Sequence, residues 1–216
     1  MSAAPAGLSP AGFWKRYVAY FIDVVLLYLV VEILAAIFFA GDSSAQLQQA
    51  MALSTALMNG DAPPDLQPLL EQTTTMLWQS TVFSGIAYVV LGSLYFALTE
   101  SSAAQATLGK RLIGIKVTDS HGRRIGLGRA VARFFAAALS WLTMNLGHAL
   151  AAWTPERRAL HDYLAGTRVE NADPAQPKMP LWGWLIIAAH ALIFLLSILA
   201  IVAVTFLVMQ KMTQGM

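Results

Sequence analysis

Apolar positions fall in four long runs, and the charges between them are concentrated rather than scattered. The first run, Gly12 to Val31 (GFWKRYVAYFIDVVLLYLVV), carries Lys15 and Arg16 at its head and Asp23 inside it. It predicts a first helix from Phe13 to Ala40, ended by Gly41 and Asp42. Runs of about 20 apolar residues are what a hydrocarbon layer of about 30 Å requires. An aspartate two turns into such a helix costs roughly 2.5–3.5 kcal/mol on insertion scales, so Asp23 should face protein or water rather than acyl chains.

The next apolar run predicts a second helix from Met76 to Leu98. Between the two helices, Gly41 to Gln79 holds no Lys or Arg, and its charges are Asp42, Asp61, Asp65 and Glu71. Leu47, Met51, Leu53, Leu57 and Met58 recur near helical spacing, so Ser44 to Met58 reads as an amphipathic helix at the outer surface, with a plain solvated loop as the alternative. Asp65 could cap a helix leading into the second run. Along that run Thr81, Gly85, Tyr88 and Gly92 share one face, which should pack on the first helix.

Glu100 to Arg133 carries Lys110, Arg111, Lys116, Arg123, Arg124, Arg129 and Arg133. Seven cations here, with Lys15 and Arg16 at the head of the first helix, place this loop and the N-terminus in the cytoplasm. Ile113 to Thr118 alternates, and Asp119-Ser-His-Gly122 is a turn before Arg123-Arg-Ile125, which predicts a small cytoplasmic β-hairpin.

Ala130 to Trp153 is apolar but interrupted at Asn145, Gly147 and His148, and Arg157 and Arg158 follow. A single crossing would carry those arginines outside, against the charge rule. About 24 residues are too few to cross twice, yet suffice for a re-entrant pair of half-helices turning near Asn145 to Gly147. Re-entry is preferred over an ordinary third crossing, because Gly166-Thr-Arg-Val-Glu170 reads as a strand that could join the hairpin only from the same side. A Pro-rich linker, 171–180, leads to a last helix, Leu181 to Met209, with Trp182 and Trp184 at its start.

Composition narrows the class. Hydrophobic residues make up 57% and charged residues 12% of 216, with a mean hydropathy of +0.58, too little polar surface for a soluble globule. The expected fold is an all-α polytopic inner-membrane protein of a bacterium. It has three full crossings, a re-entrant element or fourth crossing, and a small cytoplasmic β-patch. Residues 1–11 form a disordered tail, 12–170 the membrane domain, and 181–216 the last helix. Residues 1–15 lack the basic start of a secretory signal, so the first helix should remain as an anchor. A net charge of +2 and cations confined to short loops argue against nucleic acid. With no cysteine, disulfides, thiolate metal sites and thiol catalysis are excluded.

Candidate chemistry is sparse. Arg16 and Asp23 share a helical face but lie about 10 Å apart along the axis, so each needs a partner from elsewhere. Asp162, in Arg157-Arg-Ala-Leu-His-Asp162, is the expected partner of Arg16. Asp23 should find a cation such as Arg133, or open onto a wet cavity.

Three contexts, GFWKRYVAYFID, ATLGKRLIGIKVTDSHGR and RRALHDYLAGTRVE, stand in the order and spacing in which the chain resembles the RDD family of bacterial membrane proteins. That family is named for one arginine and two aspartates, matched here by Arg16, Asp23 and Asp162, and the resemblance covers Gly12 to Glu170. It implies an integral membrane domain, often suggested to move ions or small solutes.

Two readings of the triad follow. In one, Arg16 and Asp162 clamp the two ends of the domain, and Asp23 accepts hydrogen bonds from Tyr20-like or backbone donors. In the other, Asp23 binds a small cation or proton as the coupling carboxylate of a transporter, which would favour a homodimer or a membrane-protein partner. Glu32 should be a solvated acid near the outer surface, and His190 a packing histidine. His148 could line a re-entrant break, and His161 bears on proton chemistry only if it and Asp162 both point inward, which helical neighbours rarely do. No histidine pair or carboxylate cluster suggests zinc, no G-x-S-x-G turn suggests a nucleophile, and no enzyme activity or cofactor is expected. Leu108-Gly109-Lys110-Arg111 lacks the first glycine of a phosphate loop; Lys110 and Arg111 should orient the membrane domain and attract anionic lipid at about 1 kcal/mol per cation.

Overall fold

The computed structural model describes residues 9–60 and 67–214. The expected disorder of residues 1–8 and the capping role given to Asp65 lie outside the described residues. The chain is mostly helical, with one two-stranded sheet. Among the described residues, three helices are long and apolar enough to cross a membrane: α1 (Phe13–Phe38), α3 (Gln67–Glu100) and α8 (Leu181–Gln214).

In α1 the buried positions Lys15, Ala19, Asp23, Leu27, Val31 and Ala35 recur every fourth residue and make one seam, while Tyr28, Leu29, Ile33 and Ile37 point outward. That is an apolar helix sorting a narrow protein-facing stripe from a lipid-facing surface. At the far end of α1, α2 (Ala40–Asn59) folds against α1 and α3 and closes on Gly60, whose φ of +75° suits only a residue without Cβ. The helix at Ser44 to Met58 is thus part of a longer one.

The face expected to join α3 to α1 is used only in part. Gly92 is buried against Phe134 and Leu27, but Gly85 and Thr81 are exposed, and a Cβ added at Gly85 would meet nothing from another element within 4 Å. The helices meet where α1 begins and α3 finishes, through Tyr95 and Asp23, and again at the far end of α1, where Phe83 stacks on Phe38.

At that basic end the chain turns into α4 (Leu108–Ile113), capped by Thr107, whose Oγ1 accepts from Lys110 N, and closed by Gly114 at φ +72°. β1 (Ile115–Asp119) follows. Its partner is β2 (Thr167–Asn171), antiparallel, with Ile115 opposite Asn171 and Asp119 opposite Thr167. The hairpin expected between Ile113–Thr118 and Arg123–Ile125 is therefore corrected. The Asp119–Arg123 turn forms, with Asp119 Oδ1 accepting from the backbone of His121 and Arg123, but the chain leaves it for a helix instead of a second strand. The segment expected only to join the hairpin supplies the strand. Ser9–Ala11, assigned to the tail, extends the sheet: Ala11 N donates to Val169 O and Asn171 N to Ser9 O.

Between the strands lie α5 (Leu127–Leu142), α6 (Leu146–Trp153) and α7 (Leu160–Leu164). The α5–α6 break falls at Met144 and Asn145, both at positive φ, where the sequence predicted it. These helices are sided in the reverse sense to a soluble protein. Arg133 and Ser140 are buried, whereas Phe135, Leu139, Leu142, Met144, Leu146 and Trp153 are exposed. Such an exterior suits lipid. After α6 the chain returns to the start of α1, where Arg16 Nη2 donates to Arg157 O. α8 starts at the same end, with Trp184 against Trp14 and His190 against Tyr17 and Phe21. His190 Nδ1 lies 2.8 Å from Ile186 O, a packing histidine as expected.

Gly147 is where α6 crosses α5: a Cβ there would strike Ser140 Oγ and crowd Leu160. Gly147→Ala should lower the thermal unfolding midpoint in detergent, by about 1–3 kcal/mol of stability, while Gly85→Ala should leave the midpoint unchanged.

Candidate functional site

The expected triad does not form one cluster. It divides between the two halves of a continuous buried charge network at the basic end, joined by Arg133, Glu100 and Lys110; Arg133 and Lys110 were expected in other roles, and Glu100 in none.

One half surrounds Asp162. Its Oδ2 accepts from Arg16 Nη1 and, at 3.1 Å, from the backbone N–H of Ala159, which caps α7. Its Oδ1 accepts from Arg133 Nε and Nη2 at 3.1 and 3.0 Å and from Thr167 Oγ1 at 3.3 Å. Burial alone would raise the pKa of this carboxyl, but Arg16 and Arg133 hold it well below the usual carboxylate range. Arg16 also donates to Ala11 O and Arg157 O, and Arg158 donates to Asp162 O and Thr167 O. This half stitches α1, α5, α7 and β2 together.

Arg133 is the junction. Nη1 donates to both oxygens of Glu100 at 2.7 and 2.8 Å, and Nη2 approaches His161 Nε2 at 3.1 Å. All five N–H groups of the guanidinium are thereby used. Glu100 also accepts from Lys110 Nζ at 2.9 Å, and that ammonium lies 4.0 Å from Asp23 Oδ2 and over the ring of Phe96. Arg133 is thus the partner of Glu100 and Asp162, which corrects the expectation that it serves Asp23. Lys110, expected to meet lipid, is buried; Arg111 beside it is exposed. His161 and Asp162 are both buried and both meet Arg133, against the expectation for helical neighbours, because the one-and-a-half turns of α7 are wedged between α5 and the sheet.

The other half surrounds Asp23, whose exposure is 0%. Its Oδ1 accepts from Tyr95 O–H at 2.7 Å and from Gly109 N–H at 2.8 Å, and its Oδ2 accepts from Thr107 O–H. Tyr95 Oη in turn accepts from Leu108 N at 2.9 Å. Asp23 therefore accepts the Gly109 N–H at the start of α4 directly, while Tyr95 and Thr107, both bonded to Asp23, accept those of Leu108 and Lys110. Gly109 permits the approach, since a Cβ there would run into the carbonyl of Ala19 and the Asp23 carboxylate. The segment Thr107-Leu-Gly-Lys110 thus reads as a docking surface for an aspartate. Open hollows lined by Phe38, Phe39, Trp78 and Phe83, and by Gln67, Leu70, Glu71, Thr74 and Thr75, lie at the other end. The tyrosine at Asp23 is Tyr95, while Tyr20 lies against Phe96 and His148.

Summed over its strongly charged members, Arg16, Lys110 and Arg133 balance Asp23, Glu100 and Asp162. Among the described residues no group of three metal-ligating side chains occurs.

The RDD family model matches residues 10–166, the span that contains Arg16, Asp23, Glu100, Lys110, Arg133 and Asp162. The chain belongs to the RDD family. It is 31% identical over 164 residues to the uncharacterized protein YxaI of Bacillus subtilis (strain 168), covering 74% of this chain and 96% of that one. It is 27% identical over 175 residues to the uncharacterized protein YckC of the same organism, covering 79% and 90%. No solved structure matches the chain. The RDD match ends before α8, which packs on the domain through its first turns only.

Arg133→Met should be among the most damaging substitutions, because it strands two buried carboxylates; we expect a loss of about 3–5 kcal/mol, read as thermal unfolding in detergent. Arg123→Ala, at a side chain 72% exposed, should change stability by no more than about 0.5 kcal/mol. Asp162 binds its proton more weakly folded than unfolded, so its stabilisation is present above its ordinary pKa of 3.8 and is lost as pH falls below it. Unfolding midpoints should drop on acidification through that range.

Proposed function

We propose that this protein is a non-catalytic membrane scaffold in which the Arg/Asp set is structural, rather than a carrier that uses Asp23 as its coupling group. The supporting observation is the state of Asp23. A coupling carboxylate needs a free lone pair and a route to water, whereas this one is enclosed and takes three hydrogen bonds with a lysine close by. No step of bond making is assigned to any residue.

The arrangement in the bilayer follows from the charges. The basic end is cytoplasmic, α1, α3 and α8 cross, and α5–α6 enters and leaves on the cytoplasmic side. Both ends of α5–α6 lie at the basic end, and its outward surface is apolar. The C-terminus is then extracytoplasmic. At the cytoplasmic, basic end Arg111, Arg123, Arg124, Arg129 and Arg157 are exposed and rest on anionic lipid headgroups of the inner membrane. α8, exposed from Ala191 to Met212, is the surface offered to lipid or, in an assembly, to a second copy or another membrane protein.

Asp23→Asn replaces an acceptor by an amide facing donors, so the variant should express poorly and melt earlier, and wild-type proteoliposomes should move sodium, potassium and protons no faster than empty ones. A variant as stable as wild type, together with wild-type flux that it lacks, would overturn the scaffold reading. The absence of native cysteine permits a topology test with an impermeant thiol reagent on intact cells. Lys211→Cys should label and Arg157→Cys should not; labelling of position 157 from outside defeats re-entry.

A further inference from the structure

Three buried side-chain atoms around the α5–α6 turn and α7 have no hydrogen-bond partner: Ser140 Oγ, His148 Nδ1 and His161 Nδ1. The two imidazole rings are 5.0 Å apart. A guanidinium can only donate, so the 3.1 Å contact from Arg133 Nη2 makes His161 Nε2 the acceptor. The ring proton then sits on Nδ1, the atom without a partner. His161 is held as a neutral imidazole of defined tautomer.

A second proton has no favourable place. On Nε2 it would set a donor against the Arg133 donor and a cation against a cation. From α1 the site is faced by Arg16, from α3 by Glu100 beyond Arg133, and from α6 by His148. The neighbouring Asp162 Oδ1, 3.6 Å away, already accepts from Arg133 and Thr167, and Oδ2 from Arg16 and Ala159. Both oxygens of Asp162, the nearest carboxylate, are thus already occupied.

We propose that His161 is an acid-sensitive latch: protonation at Nε2 drives it from Arg133 and releases α7 from α5 and α6. Burial keeps its pKa well below the ordinary 6.5, opposed by Asp162 and reinforced by Arg133, His148 and Arg16. In the released segment the ring regains its ordinary value. The opened form therefore binds the proton more strongly, and each pH unit below about 6.5 favours opening up to tenfold until the closed form itself titrates. This window lies above the ordinary range of carboxylates, which separates the latch from acid loss of the Asp162 pairs.

The test is amide hydrogen exchange of residues 159–166 in the full-length protein in micelles, corrected for the intrinsic pH dependence of exchange. The opening constant should be flat above about pH 7 and rise about fivefold from pH 6.5 to 5.5. His161→Gln, whose amide oxygen accepts from Arg133 without titrating, should abolish the rise, and His148→Gln should retain it. A rise that persists in His161→Gln, or vanishes in His148→Gln alone, overturns the proposal. Should His161→Gln not fold, ring 15N shifts of the wild type decide. The neutral Nδ1–H tautomer is expected at about pH 7.5, and an Nε2–H ring or an imidazolium there overturns the latch.

Discussion

Charge buried at the edge of a membrane is tolerable only when every ion has a counter-ion and every donor an acceptor. Arg133 meets that condition for two carboxylates together. Its planar fork reaches Glu100 on one side and Asp162 on the other, which a lysine's compact ammonium could not do with the same geometry. Around it the chain arranges elements remote in sequence: the start of α1, the end of α3, α4, and α7 with β2. A buried apolar cluster that includes Val18, Ala97, Ile113, Ile115, Val117 and Val169 joins the same elements, so the network and this small core hold the basic end together, while most of the remaining hydrophobic surface is turned outward.

The second constraint is the short helix α4. Six residues make a weak helix by themselves, and its first N–H groups would be orphaned next to the apolar seam of α1. Asp23 removes that difficulty by accepting from Gly109 and Thr107 across the interface, and Gly109 removes the steric one. The intramembrane aspartate and the glycine thus solve a single packing problem between them.

Much of this was legible. The three long helices, the break near Asn145, and the meeting of Arg16 with Asp162 follow from hydropathy, from charge placement and from the need of a buried ion for a partner. The rest depended on distances that periodicity does not carry. Glu100 looked like the border of a loop, and only its position at the end of a helix facing seven cations hinted at more. Lys110 and Arg111 are adjacent and chemically alike, yet one is interior and one is surface, because α4 presents opposite faces to α1 and to solvent. β1 chose β2 over the nearer Arg123–Ile125 because β2 is tethered to α7, which Arg16 and Arg133 already fix in place, whereas the nearer segment must start α5.

The separation of Arg16 from Asp162 by 146 residues bears on biogenesis. At roughly 5–20 residues per second of synthesis, several seconds or more pass between emergence of the arginine and of the aspartate. Through that interval Arg16 has no carboxylate to meet, whereas Asp23 gains its donors once the chain has reached Gly109. Closure comes only when the last strand is made, and α8, translated afterwards, joins a domain already complete.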